Sequence, residues 1–89
     1  MVIGITMVKV LPGHERLTYC TLKREDEILD VYHIFGEYDF FVILQANGLT
    51  RLNQLLEIIQ SMDNVIATRM VLVGLDSSLR ESESIEALA

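Results

Sequence analysis

The run Phe40–Ala46 contains no charged side chain, and its first five residues are all apolar. Aromatic and β-branched residues of this kind favour a strand, which directs alternate side chains to opposite faces of its sheet. A strand that is apolar at successive positions needs apolar cover on both of those faces. This requirement limits the folds open to the chain more than any other feature of its sequence.

Three further runs of β-forming residues are predicted to be strands. They are Val2–Val10, Ile28–Phe35 and Val65–Leu75. Turn residues follow the first and third strands of the chain, at Pro12-Gly13 and at Asn47-Gly48. The predicted strands therefore have clear ends.

Two helices are predicted between these strands. The first runs from Gly13 to about Arg24, with an acid in its first turn and bases in its last, as the helix dipole favours. The second begins after Asn47, the predicted N-cap, and Asn64 is expected to end it in a left-handed conformation. Its apolar residues recur at helical spacing: Leu52, Leu55, Leu56, Ile59 and Met62.

The resulting order, β-α-β-β-α-β, predicts an α+β, ferredoxin-like fold with a four-stranded antiparallel sheet and both helices on one face. Both faces are apolar in Phe40–Leu44 and in Val71-Leu72-Val73, and so they are in the first strand apart from Thr6 and Lys9. We therefore expect a second copy to cover the remaining face in a sheet-to-sheet dimer. Residues 1–75 should form this domain, and residues 76–89 an acidic tail that is frayed or briefly helical.

Composition excludes several classes of function. The net charge is −6 and no cluster of Lys and Arg could neutralise a row of phosphates, so direct nucleic-acid binding is not expected. The single Cys20 offers no second thiol for a disulfide, metal or redox pair, which suits the cytoplasm. No apolar run approaches the ~18 residues of a membrane span. We predict no metal and no cofactor.

The loop between the second and third strands concentrates the polar chemistry. Gly36 can adopt a positive φ and expose its amide, Glu37 and Asp39 provide two carboxylates, and Tyr38 adds a flat face with a hydroxyl. Such a set could bind a small zwitterion. Structural roles are an alternative, since Gly36 suits a turn and Asp39 commonly accepts hydrogen bonds from loop amides.

These residues carry a family resemblance. Gly36-Glu37-Tyr38-Asp39-Phe40 matches the Gly-x-Tyr/Phe-Asp-hydrophobic signature of the effector-binding (RAM) domain of Lrp/AsnC transcription regulators. Weaker matches support it: Gly13, Leu52, Leu55-Leu56 and the segment Val65-Ile66-Ala67-Thr68. Over residues 2 to about 75 the sequence resembles this domain, here without the helix-turn-helix domain that those regulators carry N-terminal to it.

The resemblance implies sheet-to-sheet dimers that associate further, commonly as an octameric ring of four dimers. It also implies that small amino-acid effectors bind between dimers near the signature loop. Carried over by position, the effector-binding residues are Gly36, Glu37, Tyr38, Asp39 and Thr68. Many family members have a second Ser or Thr two residues after the position of Thr68, where this chain has Met70, so we expect a less polar pocket or an altered effector.

Three classes of function follow. The leading hypothesis is a non-enzymatic amino-acid sensor that binds its effector between subunits or pairs with full-length Lrp/AsnC regulators, modulating transcription without touching DNA. An ACT-like regulatory module of an enzyme shares the order of elements but lacks this loop. A small dimeric α+β barrel enzyme would require acid-base residues, for which only His33 and Asp39 are candidates. We predict no catalytic residues.

Overall fold

The computed structural model describes residues 1–75, and the predicted tail at residues 76–89 lies outside them. Its elements follow the predicted order β-α-β-β-α-β, which confirms the ferredoxin-like fold. Their bounds are β1 Val2–Val10, α1 Glu15–Lys23, β2 Ile28–His33, β3 Phe40–Ala46, α2 Leu49–Gln60 and β4 Val65–Leu75. Among residues 1–75, no helix is both long and apolar enough to cross a membrane.

The four strands form one antiparallel sheet in the order β2-β3-β1-β4. β1 therefore lies inside the sheet, and β2 and β4 are its edges. Val8 of β1 is opposite Phe40 of β3 on one side and Thr68 of β4 on the other. This register brings the loop that precedes β3 and the first half of β4 to the same end of the sheet.

One face of the sheet, called here the covered face, packs against both helices. The side chains of Leu22 in α1 and of Leu52, Leu55 and Ile59 in α2 are buried with it. The covered face presents alternate residues of the two central strands: Val2, Gly4, Thr6, Val8, Val10, Phe40, Val42, Leu44 and Ala46. Burial of these apolar side chains is the main source of stability for a domain of this size.

Thr6 lies on the covered face, where its side chain is buried and its hydroxyl donates a hydrogen bond to the backbone oxygen of Arg69 at 3.1 Å. It therefore does not interrupt the opposite face, here called the open face. That face has an apolar centre formed by Ile3, Ile5, Met7, Phe41 and Ile43. The prediction of strands that are apolar on both faces is thus confirmed for β1 and β3.

Three local predictions were wrong. β2 ends at His33 and not at Phe35, because the amide of Ile34 turns to donate to the carbonyl of Asp39 across the loop. The N-cap of α2 is Gly48, and no side chain caps this helix. Asn64 is not left-handed, since no residue other than glycine has a positive φ within residues 1–75. The last residue of α2 is Gln60, and the amide of the C-cap residue Ser61 donates to the Glu57 carbonyl.

A two-point ion pair connects α2 to the loop before β2. Arg51 Nη2 lies 2.6 Å from Glu27 Oε1, and Arg51 Nε lies 3.0 Å from Glu27 Oε2. Hydrogen bonding from Arg51 lowers the pKa of the Glu27 carboxyl below its ordinary value of 4.5. The ionised form of Glu27 is therefore stabilised in the folded chain.

An Arg51→Gln variant is expected to have a slightly lower urea midpoint than the parent chain at about pH 7, because the pair is partly exposed. Because the pKa of Glu27 is lower in the folded chain than in the unfolded chain, its ionisation stabilises the fold at pH values above the unfolded-state pKa. This stabilisation is lost as the pH falls through the folded-state pKa. The difference between variant and parent should therefore shrink as urea unfolding is followed from about pH 7 to about pH 3. Arg24→Gln, at an exposed residue after α1, is the control; a deficit of Arg51→Gln that stays constant with pH would contradict the assignment.

Candidate functional site

The loop between β2 and β3 is held in place by three hydrogen bonds. The amide of Ile34 donates to the Asp39 carbonyl at 2.9 Å and closes the hairpin. The amide of Asp39 donates to the Val8 carbonyl at 2.9 Å, and the Asp39 Oδ2 accepts from the amide of Val10 at 2.8 Å. The loop is thus fixed to the end of β1 as well as to its own hairpin.

Gly36 has a φ of +118°, a conformation that glycine adopts without the steric cost of a side chain. An added Cβ at this position would meet no atom within 4 Å, so the requirement for glycine is conformational and not a matter of space. Gly36 and Glu37 are exposed, whereas Tyr38 and Asp39 are half-buried. The turn therefore directs the loop backbone towards solvent beside the Asp39 carboxylate.

The Asp39 carboxylate accepts a hydrogen bond from a backbone amide, the structural role that the sequence suggested as an alternative, although the amide is a different one. The amide that its carboxylate accepts belongs to Val10 in β1 and not to the loop itself. A carboxylate has about four acceptor sites, so one hydrogen bond does not exhaust its capacity. Asp39 can hold the loop and still accept a further hydrogen bond from a ligand.

Thr68 lies one strand away from this loop. It is half-buried on β4 and lines a cavity of about 320 Å³ together with Gln60 and Val65. β1 separates β3 from β4, so β3 and β4 are about 10 Å apart at this level. The structure brings Gly36, Glu37, Tyr38 and Asp39 together. Within one chain β1 therefore lies between Thr68 and this loop.

A second cavity, of about 480 Å³, lies between α1 and β2. Its wall includes Tyr19, His33 and Phe40, and we call it the aromatic groove. The ring centroids of His33 and Phe40 are 5.3 Å apart, and those of Tyr19 and Phe40 are 6.0 Å apart. The groove's charged members are Glu15 and Arg16.

Sequence reasoning missed the aromatic groove. Its residues come from three elements, and no periodicity connects Tyr19, His33 and Phe40. The sequence contains these three aromatic side chains but gives no sign that they are neighbours. Only the packing of α1 against the edge of the sheet brings them together.

The two residues considered for acid-base chemistry have different surroundings. The His33 side chain is exposed, and its ring centroid lies 5.3 Å from that of Phe40 and 5.9 Å from that of Phe35. The Asp39 carboxylate instead bonds to the backbone of β1.

Comparisons with known proteins give a consistent result. The sequence matches the Lrp/AsnC ligand binding domain over residues 5–78. A hypothetical protein from Pyrococcus horikoshii is 26% identical, with a TM-score of 0.76, and the match covers 84% of this chain and 90% of that one. No curated protein sequence matches the chain.

Two more distant structures share the fold. AsnC of E. coli is 21% identical with a TM-score of 0.74, and the match covers 84% of this chain and 51% of AsnC. A transcriptional regulator from Neisseria meningitidis, solved as a complex with L-Met, is 14% identical with a TM-score of 0.71; the match covers 84% of this chain and 50% of that one. The regulators are thus about twice as long as the matched region.

Proposed function

The chain belongs to the Lrp/AsnC ligand binding domain family, and from this premise we propose that it is a non-enzymatic sensor of a small amino acid. The effector binds between subunits, and its binding modulates regulators of the same family without contact between this domain and DNA. The observation that carries the proposal is the loop Gly36–Asp39, in which a fixed carboxylate lies beside an exposed glycine turn.

The chemistry of the loop suits the head group of an amino acid. The ammonium would pair with Asp39, whose position is already set by its bond to Val10, so little conformational freedom is lost on binding. Backbone amides around Gly36 are the proposed donors to the effector's carboxylate. Tyr38, half-buried beside them, would contact the aliphatic part of the effector, and Glu37 lies at the edge of the site.

A second chain is needed to complete this site. Gly36 and Glu37 face solvent in the single chain, and β1 separates Thr68 from them. We propose that Thr68 of another subunit approaches the loop, within an assembly whose dimers form through the open faces. Met70, exposed two residues after Thr68, makes the pocket less polar, which favours an effector with an apolar side chain.

Thermal denaturation with each of the twenty amino acids tests the proposal. An effector present at 100 times its dissociation constant adds about 2.7 kcal/mol, which corresponds to a rise in Tm of about 10 °C or more for a domain of this size. L-Met is a suitable first ligand because its side chain is apolar and flexible. The parent chain should be stabilised by at least one amino acid.

Asp39→Asn is the informative variant, because an amide oxygen can still accept from Val10 while the negative charge is lost. We expect its unliganded Tm to stay near that of the parent chain and its response to the effector to disappear. Asp63→Asn, which neutralises an exposed acid after α2, should keep the response. If none of the twenty amino acids raises the Tm of the parent chain, the sensor proposal is wrong.

A further inference from the structure

Among the large apolar side chains that the structure describes, Phe35 is the most exposed, with 96% of its surface open to solvent. An aromatic side chain buries about 150–250 Å² when it is covered, so this ring leaves a large apolar area in water. The backbone of its loop is nevertheless held in place. Phe35 lies between Ile34 and Gly36 in the loop that three hydrogen bonds fix to Asp39, Val8 and Val10.

The aromatic groove lies directly beside this ring. His33 connects the two features, because its ring is 5.9 Å from the Phe35 ring and also lines the groove. Tyr19, Phe40, His33 and Phe35 thus form a continuous row of rings, of which the first three border a cavity of about 480 Å³. Phe35 stands at the end of that row and, being exposed, does not fill the cavity of its own chain.

We propose that the aromatic groove is an interface between two copies of this chain, in which each copy inserts Phe35 into the groove of the other. A projecting ring and a receptive groove on the same surface form a self-complementary pair. Two copies related by a twofold axis can then make both contacts at once, because Phe35 of each copy meets the groove of the other. A foreign partner would need to supply both features independently.

Charge on the groove supports a second copy as the occupant. Glu15 and Arg16 are adjacent in sequence, carry opposite charges and both line the groove. A twofold axis that exchanges the two grooves can place Arg16 of each copy near Glu15 of the other. A chain with a net charge of −6 thereby meets its own copy through a locally neutral surface.

This contact uses a different surface from the open face. Phe35 belongs to the loop, and the groove lies between α1 and β2, whereas the open face is centred on β1 and β3. The residues of this contact belong neither to the proposed effector site nor to the open face. A chain with two separate twofold contacts assembles beyond a dimer.

Multi-angle light scattering of the parent chain and a Phe35→Ser variant is the first test. Substitution of an exposed side chain should leave the circular dichroism spectrum unchanged. We expect the parent chain to assemble beyond a dimer, and the variant to stop at a dimer and to associate further about thirtyfold or more weakly. Leu49→Ser, which removes another exposed apolar side chain at the start of α2, is the matched control and should assemble like the parent.

Photo-crosslinking identifies the partner surface. p-Benzoylphenylalanine at position 35, in a mixture of ¹⁴N- and ¹⁵N-labelled chains, should give crosslinked peptides of mixed isotopic composition. We expect the attachment points in α1 or β2, near Tyr19, Tyr32 or His33. Crosslinks confined to one chain, or directed mainly to α2, would contradict the proposed contact.

The outcomes separate this inference from the proposed function. A Phe35→Ser variant that assembles to the same extent as the parent chain overturns the groove contact and leaves amino-acid sensing in place. Loss of higher assembly in Phe35→Ser alone supports it. If Phe35→Ser is a monomer, the groove contact is itself the dimer, and the proposed dimerisation through the open face is wrong.

Discussion

An Ile5→Lys variant is expected to lose the sheet-to-sheet dimer while retaining its fold. Ile5 is at the centre of the open face, opposite Ile43 of β3, and both described helices pack on the other side of the sheet. In a free chain the lysine ammonium can reach water, so the substitution costs the monomer little. In a twofold dimer it would bring two like charges together in an apolar contact.

The expected effect on association is large. Juxtaposed like charges at an interface cost several kcal/mol, which raises the dissociation constant by more than about a hundredfold. Sedimentation at micromolar concentration, together with circular dichroism, measures association and fold separately. Ile58→Lys, on the exposed side of α2, makes the same exchange away from the sheet and should leave association unchanged. The open face would be ruled out as an interface if the parent chain is a monomer. It would also be ruled out if the Ile5→Lys variant associates to the same extent as the parent chain.

Gly4→Val is expected to destabilise the fold by about 1–3 kcal/mol through overpacking. Gly4 lies on the covered face under Leu52, and an added Cβ would be 2.8 Å from Leu52 Cδ1 and 3.1 Å from Cδ2. Leu52 is almost completely buried and has little room to move. The higher strand propensity of valine and the reduced freedom of the unfolded chain would offset only part of this cost.

A double variant tests whether Leu52 is the cause. Leu52→Ala alone should cost about 2–5 kcal/mol because it leaves a cavity. Gly4→Val would partly fill that cavity, so the double variant should be more stable than the sum of the two single effects allows. Urea unfolding of the four proteins measures this coupling. Additive losses would mean that Gly4 is required for a reason other than its contact with Leu52.

The two functions proposed for Asp39 are compatible, and they explain why the choice of variant matters. Removal of the carboxylate by Asp39→Ala would also remove the bond to Val10 that holds the loop to β1. A lost ligand response could then reflect a loosened loop. Asp39→Asn separates charge from hydrogen bonding, and only the charge is needed for an ammonium group.

The same loop also links the two proposals. Phe35 and Asp39 lie on either side of Gly36, so a contact between copies at Phe35 would place a neighbouring chain close to the proposed effector site. Effector binding and assembly would then influence each other, because each would restrict the motion of one loop.

Sequence patterns were sufficient for the elements and their order. The bounds of β1, β3 and β4 agree with those predicted, because alternating and continuous apolar runs bounded by turn residues are local signals. The amphipathic face of α2 was equally clear, since Leu52, Leu55 and Ile59 are buried as their spacing predicts. The apolar character of both sheet faces also followed directly from composition along the strands.

Only the tertiary structure decided which side chains meet. The sequence identified Asp39, but its bond to Val10 depends on the pairing of β1 with β3 across 29 positions of the chain. It named Thr68 and the loop as effector-binding residues, and the strand order shows that β1 lies between them within one chain. The aromatic groove beside Phe35 likewise depends on how α1 packs against β2. Sequence periodicity predicts which residues share a face of one helix or strand. These contacts form between elements, so the strand order and the packing of the helices determine them.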